Sequence, residues 1–344
     1  MVPVVLGFEP SESVVLLTFP APRRSGRRRA AGEAAGGAEP RFFHARVDLP
    51  HDDEEAAAVT AVLRDPVVQH GVDRLALVLL TADAERARAV GRRLADAFAD
   101  REVLAVLHAD GRRWWALGPD GEPHRPEGTA YDVSAHPFRA EAVVRGTVVA
   151  PNREAVVELV APDPSGAARV GWHARALVGP LPDEGLRRAG EVLGVDDVED
   201  CRSWVVALVL RTAHGGGPGA PTDAEVARVA LVLHDARVRE AAWWLLTDPG
   251  VEAGQRRLDA WCALLRRTPA PLAPPVAVLT AAAACLAGQG ALAWAALDRC
   301  LAVDPDFPMA DAVQSVLQRA VPPEELRASL VSCFGQVVPG AAAG

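Results

Sequence analysis

The sequence predicts a mixed α/β domain at residues 1–150, then an all-helical domain at 151–334 with a tetratricopeptide-like hairpin. Three observations lead to this prediction. The apolar run LALVLL at residues 75–80 is typical of a strand covered on both faces. A helical pattern at 84–99 and a second apolar run at 103–107 follow it. From residue 151 onward the apolar spacing is helical throughout.

The central unit at residues 73–110 sets the type of sheet. Thr81 or Asp83 can cap the helix that follows the first run. Strand, crossover helix and strand in this order predict a right-handed parallel pair. Asp110-Gly111 before a further apolar run at 113–117 is typical of a hairpin, so we expect a mixed sheet.

The first 66 residues supply the rest of the predicted sheet. Residues 4–19 begin it, with a polar turn at 7–13 and a strand at 14–19. The low-complexity segment 20–40 predicts a mobile loop, and 42–49 returns as an antiparallel strand. A helix is expected from residue 50 to 64 and should end at Asp65-Pro66.

The C-terminal half is divided into helical segments by Pro- and Gly-rich breaks. Residues 281–290 and 291–306 resemble the paired helices of a tetratricopeptide repeat. Only about one and a half repeats are present, which favours a hairpin packed on its neighbours over a solenoid. We expect residues 335–344 to be a disordered tail.

Composition argues against several kinds of partner and site, namely a nucleic-acid coat, a membrane, disulfides and zinc. Half of the 344 residues are apolar, and the formal charge is −9, which argues against a general nucleic-acid coat but not against a local basic patch. No stretch predicts a transmembrane helix, and the N-terminus has no basic lead before its apolar run, so we expect a cytoplasmic protein without membrane contact. The five cysteines lack paired spacing, which favours buried free thiols over disulfides or zinc.

Two stretches carry candidate ligand-binding residues. The first is the turn before the first strand, with Glu9, Ser11, Glu12 and Ser13, whose side chains could instead cap backbone N–H groups. The second is the loop YDVSAHP, whose candidate residues are Tyr131, Asp132, Ser134 and His136. Ser and His two residues apart can touch, but triads normally join distant segments and no G-x-S-x-G motif is present. A structural loop is therefore favoured over a ligand-binding loop, and nucleophilic catalysis is the least favoured.

Asp83 completes the set of candidate ligand residues, because open α/β sheets bind ligands at the carboxyl ends of their strands.

Three other features of the sequence favour structural roles over binding. The acids at 52–55 are typical of a helix first turn rather than a metal site. The arginines at 23–29 have no interleaved aromatic residue that could stack on bases. The glycine-rich segment 214–219 follows a helix, and the chain has no lysine for a phosphate loop.

Three stretches together resemble a known family. They are LGFEPSESVVLL, GTAYDVSAHPFRAEAVVRGTVVAPNREAVVELVAP and GALAWAALDRCLAVDPDFPMA, in this order along nearly the whole chain. The chain is similar to the actinobacterial domain-of-unknown-function family 4192. The resemblance implies an actinobacterial cytoplasmic protein and no established activity or catalytic residue. The family pattern usually has His where this chain has Glu9.

The leading hypothesis for function is a non-enzymatic interaction or regulatory protein that binds a protein partner through its helical half. It rests on that half, the repeat-like hairpin and the lack of a strong catalytic motif. The alternative is a small-ligand or nucleotide-binding protein, including a hydrolase, with a site at the strand ends covered by the YDVSAHP loop. A third hypothesis, nucleic-acid binding through the Arg-rich loop at 23–29, is less favoured. No cofactor and no metal are predicted.

Overall fold

The computed structural model describes residues 2–20, 43–132, 149–179, 197–215, 220–247 and 251–335, together with 182 and 185. Two compact units are present: Met1–Arg153 with Gln318–Pro322, and Glu154–Leu317 with Pro323–Gly344. Within the described segments, every helix is too short or too polar to cross a membrane. The predicted loop at 20–40 falls almost wholly outside the described residues, and Ser134 and His136 fall outside them.

The first unit contains a six-stranded mixed sheet, as predicted. Its strands are β1 (Ser13–Phe19), β2 (His44–Asp48), β3 (Arg74–Leu80), β4 (Glu102–Ala109), β5 (Arg113–Ala116) and β6 (Thr129–Ala130). Their order across the sheet is β2-β1-β3-β4-β5-β6. The β3/β4 pair is parallel, and every other neighbouring pair is antiparallel. The predicted parallel unit and the hairpin at Asp110-Gly111 are both confirmed.

Two helices, α2 (Asp53–Gln69) and α3 (Ala84–Ala97), cover one face of this sheet. Both connect strands that run in the same direction, β2 to β3 and β3 to β4, so right-handed crossovers place them on the same side. Gly91 lets α3 approach the sheet closely, since a Cβ there would lie 3.1 Å from Leu117 and 3.2 Å from Val106. The core between these layers consists mainly of aliphatic side chains such as Leu16, Leu63, Leu77, Leu79, Val90 and Leu94.

The end of α2 differs from the prediction. The helix continues through Pro66 to Gln69 instead of ending at residue 64. Proline disfavours a helix interior because it lacks an N–H and crowds the preceding turn. Here Leu63, Pro66 and Val67 are all buried against the sheet, and this burial outweighs the local preference.

The opposite face of the sheet carries a smaller apolar cluster. Val15, Leu17 and Val78 form its buried centre, and Val2 and Leu6 pack against it. These last two residues belong to α1 (Val2–Leu6), so the expectation that the sheet begins at residue 4 is wrong for residues 4–6. A five-residue helix can cover this cluster because Val2 and Leu6 are one turn apart.

The second unit is helical in all its described regular elements. Its helices are α4 (Arg153–Glu158), α5 (Pro164–Val178), α6 (Val198–Ala213), α7 (Asp223–Val232), α8 (Ala236–Leu245), α9 (Val251–Arg267), α10 (Ala273–Leu286), α11 (Gly290–Leu301), α12 (Ala310–Gln318) and α13 (Pro323–Phe334), with α4 beginning at the last residue of the first unit. Every residue from Ala273 to Cys285 is buried. Helices α7, α8, α9, α11 and α13 surround α10, which is therefore the central helix of this unit.

Arginine side chains bind backbone carbonyl groups at several helix ends in this unit. Arg299 donates to the carbonyl oxygens of Val160 and Leu265, at 2.6 and 3.0 Å. Arg239 donates to the Leu233 carbonyl at 2.6 Å, and its guanidinium lies 5.2 Å from the Phe307 ring centre. Burial lowers the pKa of Arg299 to about 10. The Leu265 carbonyl also accepts from Thr268 N at 3.1 Å, whereas the Val160 and Leu233 carbonyls receive the arginine donor at a chain segment that follows a helix.

The cysteines are free thiols. Cys201, Cys262, Cys285 and Cys300 are buried as expected, whereas Cys333 is exposed. Burial raises the pKa of Cys262, Cys285 and Cys300 to about 12, so these thiols stay protonated at neutral pH. A protonated, inaccessible thiol is a poor nucleophile, which makes a packing role the natural one for these three side chains.

Candidate functional site

The candidate site lies at the edge of the sheet where β3 and β4 end. Because β1 is antiparallel to β3, the segment before β1 reaches the same edge, and Ser13 pairs with Leu80. Ala109 O accepts a hydrogen bond from Thr81 N at 3.1 Å, which joins the two strand ends. Residues from three separate parts of the chain are therefore brought together here.

Glu12 has an unusual backbone conformation at this edge. Its φ of +41° lies in the left-handed region, which a glutamate rarely adopts. Its carboxylate accepts hydrogen bonds from the Thr81 hydroxyl at 2.7 Å and from the Arg86 guanidinium at 3.3 Å. Such conformations persist only where surrounding contacts enforce them, and here Leu49 N also donates to the Glu12 carbonyl at 2.9 Å.

Arg86 connects the start of α3 to the end of β2. Its Nε donates to the Pro50 carbonyl at 2.8 Å, and a terminal nitrogen donates to the Leu49 carbonyl. The third contact is the ion pair with Glu12, in which the Arg86 side chain is 18% exposed and that of Glu12 55%. Arg86 thus joins β1, β2 and α3 at a single point.

Asp83 and the two serines have structural contacts in this arrangement. Asp83 is the N-cap of α3, because its side chain accepts a hydrogen bond from Arg86 N at 3.0 Å. Ser13 is fully buried, donates to the Ser11 carbonyl at 2.5 Å and accepts from Arg46 Nε at 2.8 Å. Ser11 is exposed. The hydrogen bonds of Asp83 and Ser13 are those of a cap and a turn.

A second group at the same edge contains two carboxylates and a phenol. The pKa of Tyr131 is raised, first by partial burial and then by the negative charges of Asp110 and Glu9. Asp110 lies at the hairpin turn and accepts from the N–H groups of Arg112 and Arg113, at 2.8 and 2.7 Å. These backbone donors, that of Arg113 foremost, lower the pKa of Asp110, which is therefore ionised at neutral pH. Of the predicted site residues, Glu9 acts on the pKa of Tyr131, and Asp132, which follows Tyr131, is exposed.

Sequence reasoning missed a buried histidine at the end of β4 and the half-buried tryptophan that stacks on it. His108 is 3% exposed, and its Nε2 donates to the Thr81 carbonyl at 2.9 Å, since a carbonyl can only accept. The Trp115 ring stacks on it with centroids 4.9 Å apart and planes 17° apart. A lone histidine inside the apolar run before Asp110 was the available signal. Its partner could be found only from the hairpin register, which pairs His108 with Trp115.

The polar groups at this edge are carboxylates, a phenol and a buried imidazole. Among the residues that the structure describes, no group of three or more His, Cys, Asp or Glu side chains could hold a metal ion. The crossovers from β2 to β3 and from β3 to β4 also run in one direction, so the sheet lacks the reversal that opens a ligand crevice in doubly wound folds. Two carboxylates beside a phenol can accept hydrogen bonds from a ligand.

Comparison with known proteins bears on the whole chain. A family model described as "Domain of unknown function (DUF4192)" matches residues 1–324. The chain belongs to this family. No curated protein and no solved structure matches it. For this DUF4192 member, the contacts of its own residues are therefore the basis for any functional argument.

The phenol offers a direct measurement, because Tyr131 is the only tyrosine in the chain. We expect the absorbance of tyrosinate to rise with a midpoint above 10, and we expect Asp110→Asn or Glu9→Gln to move that midpoint down. The folded state favours the neutral phenol, so this group makes the protein less stable as the pH rises above about 10. A midpoint unchanged by both substitutions would show that the carboxylates do not act on the phenol.

Proposed function

We propose that the protein is a non-enzymatic interaction or regulatory protein that binds a protein partner through its helical half. The observation that carries the proposal is Trp172 on α5, which is 66% exposed. Large exposed aromatic side chains are enriched where proteins bind one another. Leu177 on the same helix is 58% exposed, and Val157 and Leu159, in and just after α4, are also exposed. These apolar side chains favour a partner that covers this part of the unit.

The repeat-like hairpin belongs to the proposed binding unit, but its first helix does not contact the partner. We propose that α10 and α11 form a tetratricopeptide-like hairpin, supported by their packing and by the short connection at residues 287–289. Since α10 is buried on all sides, the partner would bind to the outer helices and not to α10. We further propose an actinobacterial cytoplasmic setting, which the family resemblance and the arginine-only basic composition favour.

The test is capture of partners by tagged full-length protein from a nuclease-treated actinobacterial lysate. We expect a stoichiometric protein partner that Trp172→Ser loses. Trp114→Ser is the matched control, because Trp114 is also exposed, at 37%, but belongs to the α/β unit. A partner retained by Trp172→Ser, or the absence of any stoichiometric protein, would contradict the proposal.

A second candidate function is binding of a small ligand or nucleotide at the strand ends, with hydrolysis as its enzymatic form. What supports it is that Tyr131 N donates to the Arg112 carbonyl at 3.1 Å, next to the Asp110 turn, and that Asp110 and Glu9 both raise the pKa of Tyr131. Native mass spectrometry of the purified protein would detect a co-purified molecule, and equilibrium dialysis would measure nucleotide binding. Tyr131→Phe should weaken the binding of a co-purified molecule or of a nucleotide, whereas Trp172→Ser should leave that binding unchanged. Protein that carries no molecule and binds no nucleotide would exclude this candidate.

A further inference from the structure

A short segment from the C-terminal half of the chain, Gln318–Pro322, belongs to the first compact unit. It comprises the last residue of α12 and the connection to α13, and we call it the strap. Its Ala320 is partly buried against the main core cluster of the α/β unit, whose other members lie between Val14 and Leu117. The strap therefore covers part of a core that a distant stretch of sequence builds.

A histidine links the strap to α2. His70, the C-cap residue of that helix, donates from Nε2 to the Arg319 carbonyl at 2.7 Å. The side chains of Gln318 and Arg319 are exposed and line an open groove of about 520 Å³ together with Asp65 and Val68 of α2. Because this groove lies at their side chains, the strap packs loosely on the end of the helix.

Two features of the closed strap are unfavourable. Ala320 has a φ of +48°, in the left-handed region, where its Cβ crowds the following carbonyl oxygen. The Nδ1 atom of His70 is buried and accepts no hydrogen bond from any residue that the structure describes, so it has lost its bond to water without replacement. Each cost is of the same order as the net gain from one hydrogen bond, so the closed strap is only slightly favoured over an open one.

We propose that the strap opens and closes in the native protein and that His70 holds it closed. In the open state the hydrogen bond from His70 to Arg319 is broken, Ala320 returns to an ordinary backbone conformation, and His70 Nδ1 bonds to water. Opening also uncovers the part of the core cluster that Ala320 covers, so His70 controls the exposure of apolar surface there. The inference does not rest on the proposed partner of the helical unit, and either can fail without the other.

Limited trypsin digestion of the full chain tests the strap, because the bond between Arg319 and Ala320 is a tryptic site within it. When opening and closing are fast, the initial rate of cleavage follows the population of the open segment. We expect His70→Ala to raise the rate at this bond, measured by mass spectrometry, about fivefold, the factor that corresponds to the net contribution of one hydrogen bond. His70→Gln should restore most of the protection, because its amide can donate to the same carbonyl.

His51→Ala is the matched control. His51 is exposed and lies just before α2, whereas His70 follows that helix, so this substitution should leave the rate unchanged. Ala320→Val is a second variant, because a β-branched residue is strongly disfavoured at a positive φ. It should raise the rate after division by the rate for the same bond in the unfolded chain. Circular dichroism confirms that each variant is folded.

Urea separates opening of the strap from complete unfolding. Local opening exposes little surface, so the rate of cleavage after Arg319 should hardly change at urea concentrations below the unfolding transition. A rate that rises with urea as steeply as the unfolding constant overturns the proposal. It is equally overturned if His70→Ala and Ala320→Val leave the rate unchanged, or if trypsin does not cut this bond in any folded variant.

Discussion

Replacing Arg86 with Met should lower the free energy of unfolding by about 3 kcal/mol. The methionine keeps most of the side-chain length but leaves the Leu49 and Pro50 carbonyls without their donor, at about 1–3 kcal/mol for each unsatisfied buried group. It also removes the cation that helps to hold Glu12 at a positive φ. The loss should therefore exceed that of an ordinary surface ion pair.

Urea unfolding measures this effect, and α3 supplies its own control. Arg88 lies two residues away, and its side chain is 40% exposed in a pair with Glu122 at 3.4 Å. Exposed pairs contribute little, so Arg88→Met should change the free energy by less than about 1 kcal/mol. Equal losses for the two variants would mean that Arg86 is not the structural connection described above.

The second large effect is expected at Gly128. Its φ is +62°, and a Cβ at this position would lie 2.5 Å from two atoms of the Trp115 indole. Gly128→Ala should therefore displace the indole from His108 and cost about 3 kcal/mol, which combines overpacking with backbone strain. Loss of the Trp115 contribution to the near-ultraviolet circular dichroism, together with a lower urea midpoint, is the expected result.

Gly111→Ala separates the two causes. Gly111 also has a positive φ, +92°, but no atom lies within 4 Å of the position that its Cβ would take. This variant should show the cost of the backbone alone, about 1–2 kcal/mol, and keep the aromatic signal. If both glycine variants lose the same free energy and both keep the signal, the close contact with Trp115 is not important.

Much of the α/β unit could be predicted because its signals are local. The run at 75–80, the helical spacing after Asp83 and the Asp110-Gly111 turn each specify one step of the chain, and the structure confirms all three. The continuation of α2 through Pro66 could not be predicted in this way. Local sequence disfavours it, and it forms because Leu63 and Val67 are buried against a sheet that the local pattern does not contain.

The contacts around the candidate site could not be predicted from the sequence. The rule for strand ends leads to Thr81 and Asp83, but the conformation of Glu12 depends on Arg86, 74 residues away. The stack of His108 on Trp115 likewise needs the register of a hairpin and the space left by Gly128. Helix α10 is different, because an apolar composition on all sides already indicates a helix surrounded by others.

The position of α10 also determines how the helical unit opens. Its backbone amides reach solvent only when the five surrounding helices separate, so deuterium should enter this segment only through complete unfolding of the unit. Exchange at the amides of α10 should therefore report the stability of the whole unit, because these five helices can separate only when the unit unfolds.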